Sequence, residues 1–360
     1  MTTATSRISR REFIHRSLLT TAGVTFGGAL GGLKDVSAAE DNKGQKVPLK
    51  LTLDGHIPIS LIIDDPSPGL NPMSVHHPES NTDPFIPNKL IHDLADLFCE
   101  FGAKGKFSVV PMGFGRGRID KCLDGVSAKN VTEFIEVVKT RVVPLFDITP
   151  EILTHAKAYD LKNGNFLDER EDKYFSHISR ETMTDYIVLS LEILKNVGLD
   201  ANGVTSPWSL GKEKEDDYSW AILDAEKRVH GRRRTWYFLH SDSKCEIVPH
   251  RVMHRTASDE WVVSIFSGGF DFAWQTQEGK PGQEDAMISA DGRSGRLVEL
   301  FNHGSSITTH THWQSLYSNG SYAGLVSLRH VFERVKQHLS DRVIWTKCSR
   351  LAELVAEKSV

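Results

Sequence analysis

The chain has 360 residues, of which 39% are hydrophobic, 25% charged and 9% aromatic. This composition is typical of a soluble globular protein, and it excludes a disordered, collagen-like or disulfide-scaffold chain. The 43 Lys and Arg residues nearly balance the 47 Asp and Glu residues, and the net charge of −4 gives no general electrostatic reason to bind nucleic acid or an anionic membrane. Any activity must therefore reside in a local site.

Residues 1–38 resemble a twin-arginine export signal. Arg10 and Arg11 precede a weakly apolar, glycine-rich stretch, 17–33, and a small-residue cleavage site near Ala38. The stretch is short and rich in glycine for a membrane span. An amphipathic first helix and an uncleaved anchor are the alternative interpretations. We expect export by the twin-arginine machinery to the periplasm or the medium, with residues 39–56 as a lead-in and no stable membrane span in the mature form.

The rest of the chain alternates apolar runs with amphipathic segments. Buried runs bounded by turn residues predict strands at 57–63, 106–110, 151–154, 203–206, 235–239, 261–266, 305–310 and 343–346. Apolar stripes at helical spacing predict helices at 88–101, 131–143, 179–198, 325–339 and 351–357. Asn88, Asn130 and Ser179 are the predicted N-caps, and Glu133 takes the capping-box position of the second helix.

This alternation over about 300 residues indicates an α/β fold, and seven or eight strands in one domain favour a barrel over an open sheet. We predict a single distorted (β/α) barrel of about seven parallel strands in residues 57–360. A doubly wound sheet is the structural alternative. The sequence has no Gly-x-Gly-x-x-Gly after its first strand and no phosphate loop, so we expect no nucleotide cofactor.

Catalytic groups of a parallel barrel lie where its strands end, and three segments place such groups there. Asp64 and Asp65 end the first strand, where one carboxylate could ligate a cation and the other accept a proton; a capped turn is the alternative. His155 follows a short apolar segment, where imidazole could bind zinc. His310 and His312 are two residues apart, so a strand would project both to one side, as a ligand and a general acid.

The order of these motifs resembles the polysaccharide deacetylase superfamily over residues 57–355. The resemblance rests on Ile62-Ile63-Asp64-Asp65-Pro66, Lys106-Phe107-Ser108-Val109-Val110, the His155 segment, Ser206-Pro207-Trp208-Ser209-Leu210-Gly211 and the late histidine pair. It implies a distorted (β/α) barrel with a divalent metal, usually zinc, that polarises an acetyl carbonyl and activates water. It also implies Asp64 as the base and Asp65 as a metal ligand.

Two positions depart from the pattern of that superfamily. His155 matches the first residue of its His-x-x-x-His ligand pair, but Tyr159 stands at the second position. The motif that usually begins with Arg begins here with Thr205. A third metal ligand must therefore come from elsewhere in the sequence.

The sequence leaves several candidates for that third ligand. They are His310, His312, Asp160 and the His76-His77 loop. We assign the role to His310 and expect His312 to be the acid that protonates the leaving group.

The predicted function is that of an exported, metal-dependent hydrolase that removes N- or O-linked acetyl groups from a carbohydrate. Trp208, Trp313 and Trp274 lie beside the motifs and could stack on sugar rings, with packing in the barrel wall as the alternative for each. Asp271, beside Trp274, is a candidate carboxylate that supports the site from behind. A glycoside hydrolase on a related barrel is one alternative, although adjacent Asp64 and Asp65 alone do not flank a glycosidic bond. A catalytically inactive carbohydrate-binding barrel is the other.

Overall fold

The computed structural model describes residues 45–46, 50–80, 82–241 and 247–359, so the predicted export signal lies outside the described residues. The strands are β1 Gln45–Lys46, β2 Ile57–Asp64, β3 Gly105–Val109, β4 Gly117–Arg118, β5 Cys122–Leu123, β6 Phe146–Pro150, β7 Lys157–Asp160, β8 Asn165–Arg170, β9 Val204–Thr205, β10 Arg234–Ser241, β11 Arg251–Arg255, β12 Trp261–Ser267, β13 Ile307–His312 and β14 Val343–Trp345. The α-helices are α1 Pro72–His76, α2 Lys89–Phe101, α3 Ala128–Val137, α4 Glu171–His177, α5 Arg180–Asn196, α6 Glu215–His230, α7 Glu284–Met287, α8 Arg296–His303, α9 Trp313–Tyr317, α10 Ala323–Leu339 and α11 Cys348–Lys358.

Seven parallel strands follow one another around a common core, and β14 pairs in parallel with the start of β2 as an eighth. One sheet has the order β13-β2-β3-β6, and β12-β10-β9 forms the parallel part of the other. A parallel bridge between Glu151 and Thr205 links β6 to β9. The N–H groups of Gly268 and Gly269 each donate to the Thr308 carbonyl at 2.9 Å, which links β12 to β13. The predicted α/β fold with a distorted barrel of parallel strands is confirmed.

Helices cover the outer face of the strands, as their apolar stripes predict. In α2 the stripe of Leu90, Leu94 and Phe98 is fully buried, and the helix ends at Gly102 with a left-handed φ of 61°. Strands β3, β6 and β12 are buried along their whole length, which agrees with parallel strands covered on both faces. None of the helices in the described ranges combines the length and hydrophobicity that crossing a bilayer requires.

The helix caps differ in part from those predicted. Ser179 caps α5 as expected, because its hydroxyl accepts from Thr182 N–H at 3.2 Å. Helix α3 begins earlier than predicted, at Ala128, and its cap is Ser127. The side chain of Asn88 makes no cap bond; its amide donates instead to the Asn130 carbonyl at 3.0 Å and links α2 to α3. A backbone-to-side-chain bond between two helices thus replaced the predicted local cap.

Candidate active site

A cavity of about 240 Å³ opens where the parallel strands end. Nine of the residues singled out in the sequence line it: Asp64, Asp65, His76, His77, His155, Trp208, Trp274, His310 and His312. Glu151 and Gln314 line it as well. The register of β13 against β2 sets His312 beside Asp64 and His310 beside Ile62, so both histidines face the cavity at different depths.

Asp65, Glu151 and His155 form a buried group that we call the ligand cluster. One ligand atom from each lies within 4.8 Å of the others. Asp65 Oδ1 is 3.2 Å from His155 Nδ1. Within the described part of the chain, no other set of three or more His, Cys, Asp or Glu side chains meets this criterion.

The backbone around Asp65 is held by the neighbouring strand ends. Asp65 has a φ of 70°, a left-handed conformation that is strained for a residue other than glycine. Its N–H donates to Glu151 Oε2 at 2.6 Å, and the Ser108 hydroxyl donates to the same oxygen at 2.6 Å. The amide of Gln314 donates to Asp65 Oδ2 at 2.6 Å. These bonds from β3, β6 and α9 fix both carboxylates of the ligand cluster.

A buried carboxylate holds the loop that carries His155. His155 also has a left-handed φ, of 49°. Its N–H and that of Thr154 donate to the two oxygens of Glu171, at 2.8 Å each, and the Tyr186 hydroxyl donates to Glu171 at 2.8 Å. Burial raises the pKa of Glu171 to about 7. Strain of this kind amounts to about 1–3 kcal/mol and persists only where surrounding contacts determine it, and Glu171 supplies them here.

The ligand cluster fits a divalent cation. His155 Nδ1 is buried, and although Asp65 Oδ1 lies 3.2 Å away, the nitrogen makes no hydrogen bond of suitable geometry with the described residues. An unsatisfied buried polar group costs about 1–3 kcal/mol, and a cation between the two side chains would satisfy this one. Burial lowers the pKa of His155, which keeps the imidazole in the neutral form that binds metals. Burial raises the pKa of Asp65, and burial with the charge of Asp65 raises that of Glu151 to about 8. Nitrogen and carboxylate donors suit zinc and related cations.

Asp64 is paired with a buried lysine. Lys106, in β3, is fully buried, and its ammonium group donates to Asp64 Oδ1. The same ammonium lies 5.3 Å from the centre of the Phe238 ring. A lysine is almost never buried unless it is paired, so Asp64 and Lys106 form one electrostatic unit beside the ligand cluster.

His312 is paired with Asp271. Its Nδ1 lies 2.7 Å from Asp271 Oδ2, and Asp271 also accepts from the hydroxyls of Thr311 and Ser315 at 2.9 and 2.7 Å. Burial alone would lower the pKa of His312, but the Asp271 hydrogen bond and nearby carboxylates raise it to about 10. The direction of this shift favours the protonated imidazole, which is the form that can donate a proton.

His310 lies outside the ligand cluster, although we predicted it as the third ligand. Its Nδ1 is 3.0 Å from the Ser267 hydroxyl, towards β12. Strand register explains this placement, because His310 lies two residues deeper in the barrel than His312. The third member of the ligand cluster is Glu151, which the sequence analysis did not single out. Its position directly after Pro150, at a strand end, was the available signal.

One further expectation, contact between Trp313 and the substrate, is corrected by the position of the side chain, and Tyr159 also lies away from the cavity. The hydroxyl-bearing ring of Tyr159 packs against Phe166 at 5.3 Å between centroids, and it does not line the cavity. Trp313 is 1% exposed and packs edge-on against Phe107 and Phe134, since it begins α9 and points into the core. Trp313 is thus a core residue and not a substrate contact. Trp208, 38% exposed, and Trp274, 43% exposed, line the cavity.

The fold resembles that of a solved structure described as a proposed polysaccharide deacetylase from Mycobacterium smegmatis. The TM-score is 0.53 at 13% identity, covering 88% of this chain and 96% of that chain. The fold is that of this deacetylase structure. A second proposed polysaccharide deacetylase, from Pseudomonas aeruginosa PAO1, matches with a TM-score of 0.48 at 11% identity, over 84% of this chain and 91% of that one. No protein-family model matches the sequence, and no curated protein matches it.

Proposed function

We propose that this chain is a metal-dependent hydrolase that releases acetate from N- or O-acetylated carbohydrate. The observation that carries the proposal is the buried ligand cluster of Asp65, Glu151 and His155, which shares one cavity with Asp64 and His312. The fold shared with a deacetylase structure supports it. The arginine pair near the N-terminus supports export to the periplasm or the medium, which fractionation of cells expressing the full chain would test.

The residues around the ligand cluster have complementary roles in such a hydrolysis. A divalent cation on Asp65, Glu151 and His155 would polarise the acyl carbonyl and lower the pKa of water. Asp64, held by Lys106, accepts the proton of the attacking water. His312, held by Asp271, gives its proton to the departing nitrogen or oxygen, and the acetate leaves with the oxygen of that water. Both proton carriers then exchange with solvent.

Acetate release is the first test of the proposal. The purified chain is incubated with N-acetylglucosamine oligomers and, separately, with O-acetylated xylan, before and after treatment with a chelator. We expect acetate from one of the two, lost on chelation and in Asp65→Ala. New reducing ends without acetate would overturn the proposal in favour of a glycoside hydrolase, and acetate release that resists chelation would overturn the metal dependence.

The pH dependence tests the role of His312. Replacing Asp271 by Asn removes the hydrogen bond and the charge that raise the pKa of His312, so that pKa should fall from about 10 towards its ordinary value of 6.5. Because only protonated His312 can donate, kcat/KM is lost as the pH rises through this pKa. We expect the alkaline limb of the kcat/KM profile to move to lower pH in Asp271→Asn. An unchanged limb with normal folding would contradict the assignment.

The carbohydrate class is tested at Trp208. Its ring is 38% exposed and lines the cavity, with the Arg170 guanidinium over it at 4.5 Å and the His155 ring against it at 4.5 Å, so the exposed part of the ring is the surface that a sugar would contact. Replacing it by Ala should raise KM about tenfold with a smaller change in kcat, and Trp208→Phe should restore part of the affinity. Equal KM values for the wild type and Trp208→Ala would show that the ring does not contact the substrate.

A further inference from the structure

His76 lies against the ligand cluster without belonging to it. It is the last residue of α1, the short helix that follows Asp65 in the chain, and it lines the same cavity. Its ring contacts that of His155 with 5.0 Å between centroids and an interplanar angle of 69°. Trp208 packs against both imidazoles, with its ring centroid 5.3 Å from that of His76 and 4.5 Å from that of His155. The three rings therefore form one aromatic group at the edge of the cluster.

The Nε2 atom of His76 is buried and has no hydrogen-bond partner among the described residues. His155 Nδ1 is in the same state. Two adjacent imidazoles thus each present an unsatisfied buried nitrogen next to two carboxylates. Most buried polar atoms are paired, and one cation bound by both nitrogens would satisfy the two of them together.

The spacing of the two rings agrees with a shared ion. Imidazole nitrogens bind zinc at about 2.0–2.1 Å, and the ring centre lies about 1.1 Å beyond the nitrogen, so two imidazoles on a tetrahedral ion have centroids about 5 Å apart. The observed 5.0 Å matches this separation. His76 is not among the side chains whose ligand atoms all lie within 4.8 Å of one another, so its ring must turn or α1 must shift towards the cluster on binding.

We infer that His76 is a fourth protein donor to the cation held by Asp65, Glu151 and His155. This inference rests on the proposed function, because it needs a cation at the ligand cluster. Two imidazoles and two carboxylates form a donor set that suits zinc and other first-row transition cations.

Cobalt binding tests this inference independently of activity. Co²⁺ is titrated into the metal-free full chain against a chromophoric chelator, and the visible absorption of the bound ion is recorded. The variants are His76→Ala and His76→Gln, and the control is His177→Ala, because His177 is an exposed histidine that lies 3.1 Å from Glu169 and does not line the cavity. We expect both His76 variants to bind Co²⁺ at least about tenfold more weakly, with a changed spectrum. His177→Ala should match the wild type.

Added imidazole distinguishes a ligand from a structural residue. In His76→Ala the vacated space should admit imidazole and restore the wild-type cobalt spectrum, whereas a residue that only supports the loop would not be replaced in this way. The inference is overturned if His76→Ala and His76→Gln keep the wild-type spectrum and an affinity within about twofold of it. If the wild type itself binds no Co²⁺, the proposed metal site fails and His76 with it. If the wild type binds Co²⁺ and releases acetate while the His76 variants bind normally, only the inference about His76 fails.

Discussion

Replacing Glu151 by Gln is expected to lower kcat/KM for acetate release by about 10³-fold or more. The substitution removes one negative donor from the ligand cluster while keeping the size of the side chain. A bound cation contributes several kcal/mol to stabilising the transition state, and each 1.4 kcal/mol corresponds to a factor of ten in rate. Glutamine can still accept from Asp65 N–H and from Ser108, the two donors that bond Glu151 in the wild type, so the fold should be retained.

The matched control for this substitution is Glu226→Gln. Glu226 is also a buried glutamate whose pKa is raised by burial, to about 7, but it pairs with Arg232 and does not line the cavity. Its replacement should leave kcat/KM within about twofold of the wild type. Thermal unfolding of both variants shows whether a loss of activity reflects loss of structure. If Glu151→Gln retained wild-type activity while folded, Glu151 would not be a ligand.

Replacing Lys106 by Met should lower the free energy of unfolding by about 3–5 kcal/mol. Lys106 is fully buried and its ammonium group bonds Asp64, which is 5% exposed. Methionine fills the space of the lysine stem but leaves the Asp64 carboxylate buried without its cation. Urea-induced unfolding measures the loss. The activity should also fall, by about 10²-fold, because a general base contributes about 10²–10⁴ to the rate.

The double substitution Asp64→Asn with Lys106→Met separates charge from packing. Without either charge, the penalty of an unpaired buried ion disappears, so the double variant should be more stable than Lys106→Met alone. It should remain inactive, since the base is absent. Lys104→Met is the control, because this partly exposed lysine precedes β3 and should change stability by no more than about 0.5 kcal/mol. A double variant no more stable than Lys106→Met would contradict the pairing.

Local patterns in the sequence predicted two of the strand ends that form the site, whereas the strand predicted at 151–154 lies just beyond β6, which ends at Pro150. The apolar run of β2 ends at Asp64, and the two-residue repeat of β13 brings His310 and His312 to one cavity. These predictions succeeded because side-chain direction along a strand is fixed by local geometry. The same reasoning placed Trp313 at the site. That prediction was wrong because the strand ends at His312 and a helix begins at Trp313.

The partners of these residues could not be predicted from local pattern. Glu151 bonds the backbone of Asp65 across 86 residues of sequence, and only the order of β2, β3 and β6 in the sheet brings them together. The burial of Lys106 could not be predicted either, because a lysine in a strand normally reaches solvent. The side chains of the ligand cluster are thus brought together by pairing between strands that are distant in sequence. Left-handed turns such as that at Asp65 contribute as well.

Anomalous diffraction from crystals grown with a zinc or manganese salt tests most directly whether Asp65, Glu151 and His155 hold one divalent cation. A peak at the metal absorption edge should lie about 2.0–2.2 Å from an oxygen of Asp65, an oxygen of Glu151 and a nitrogen of His155. A peak ligated by His310 in place of Glu151, or no peak in the cavity at a saturating metal concentration, would contradict the claim.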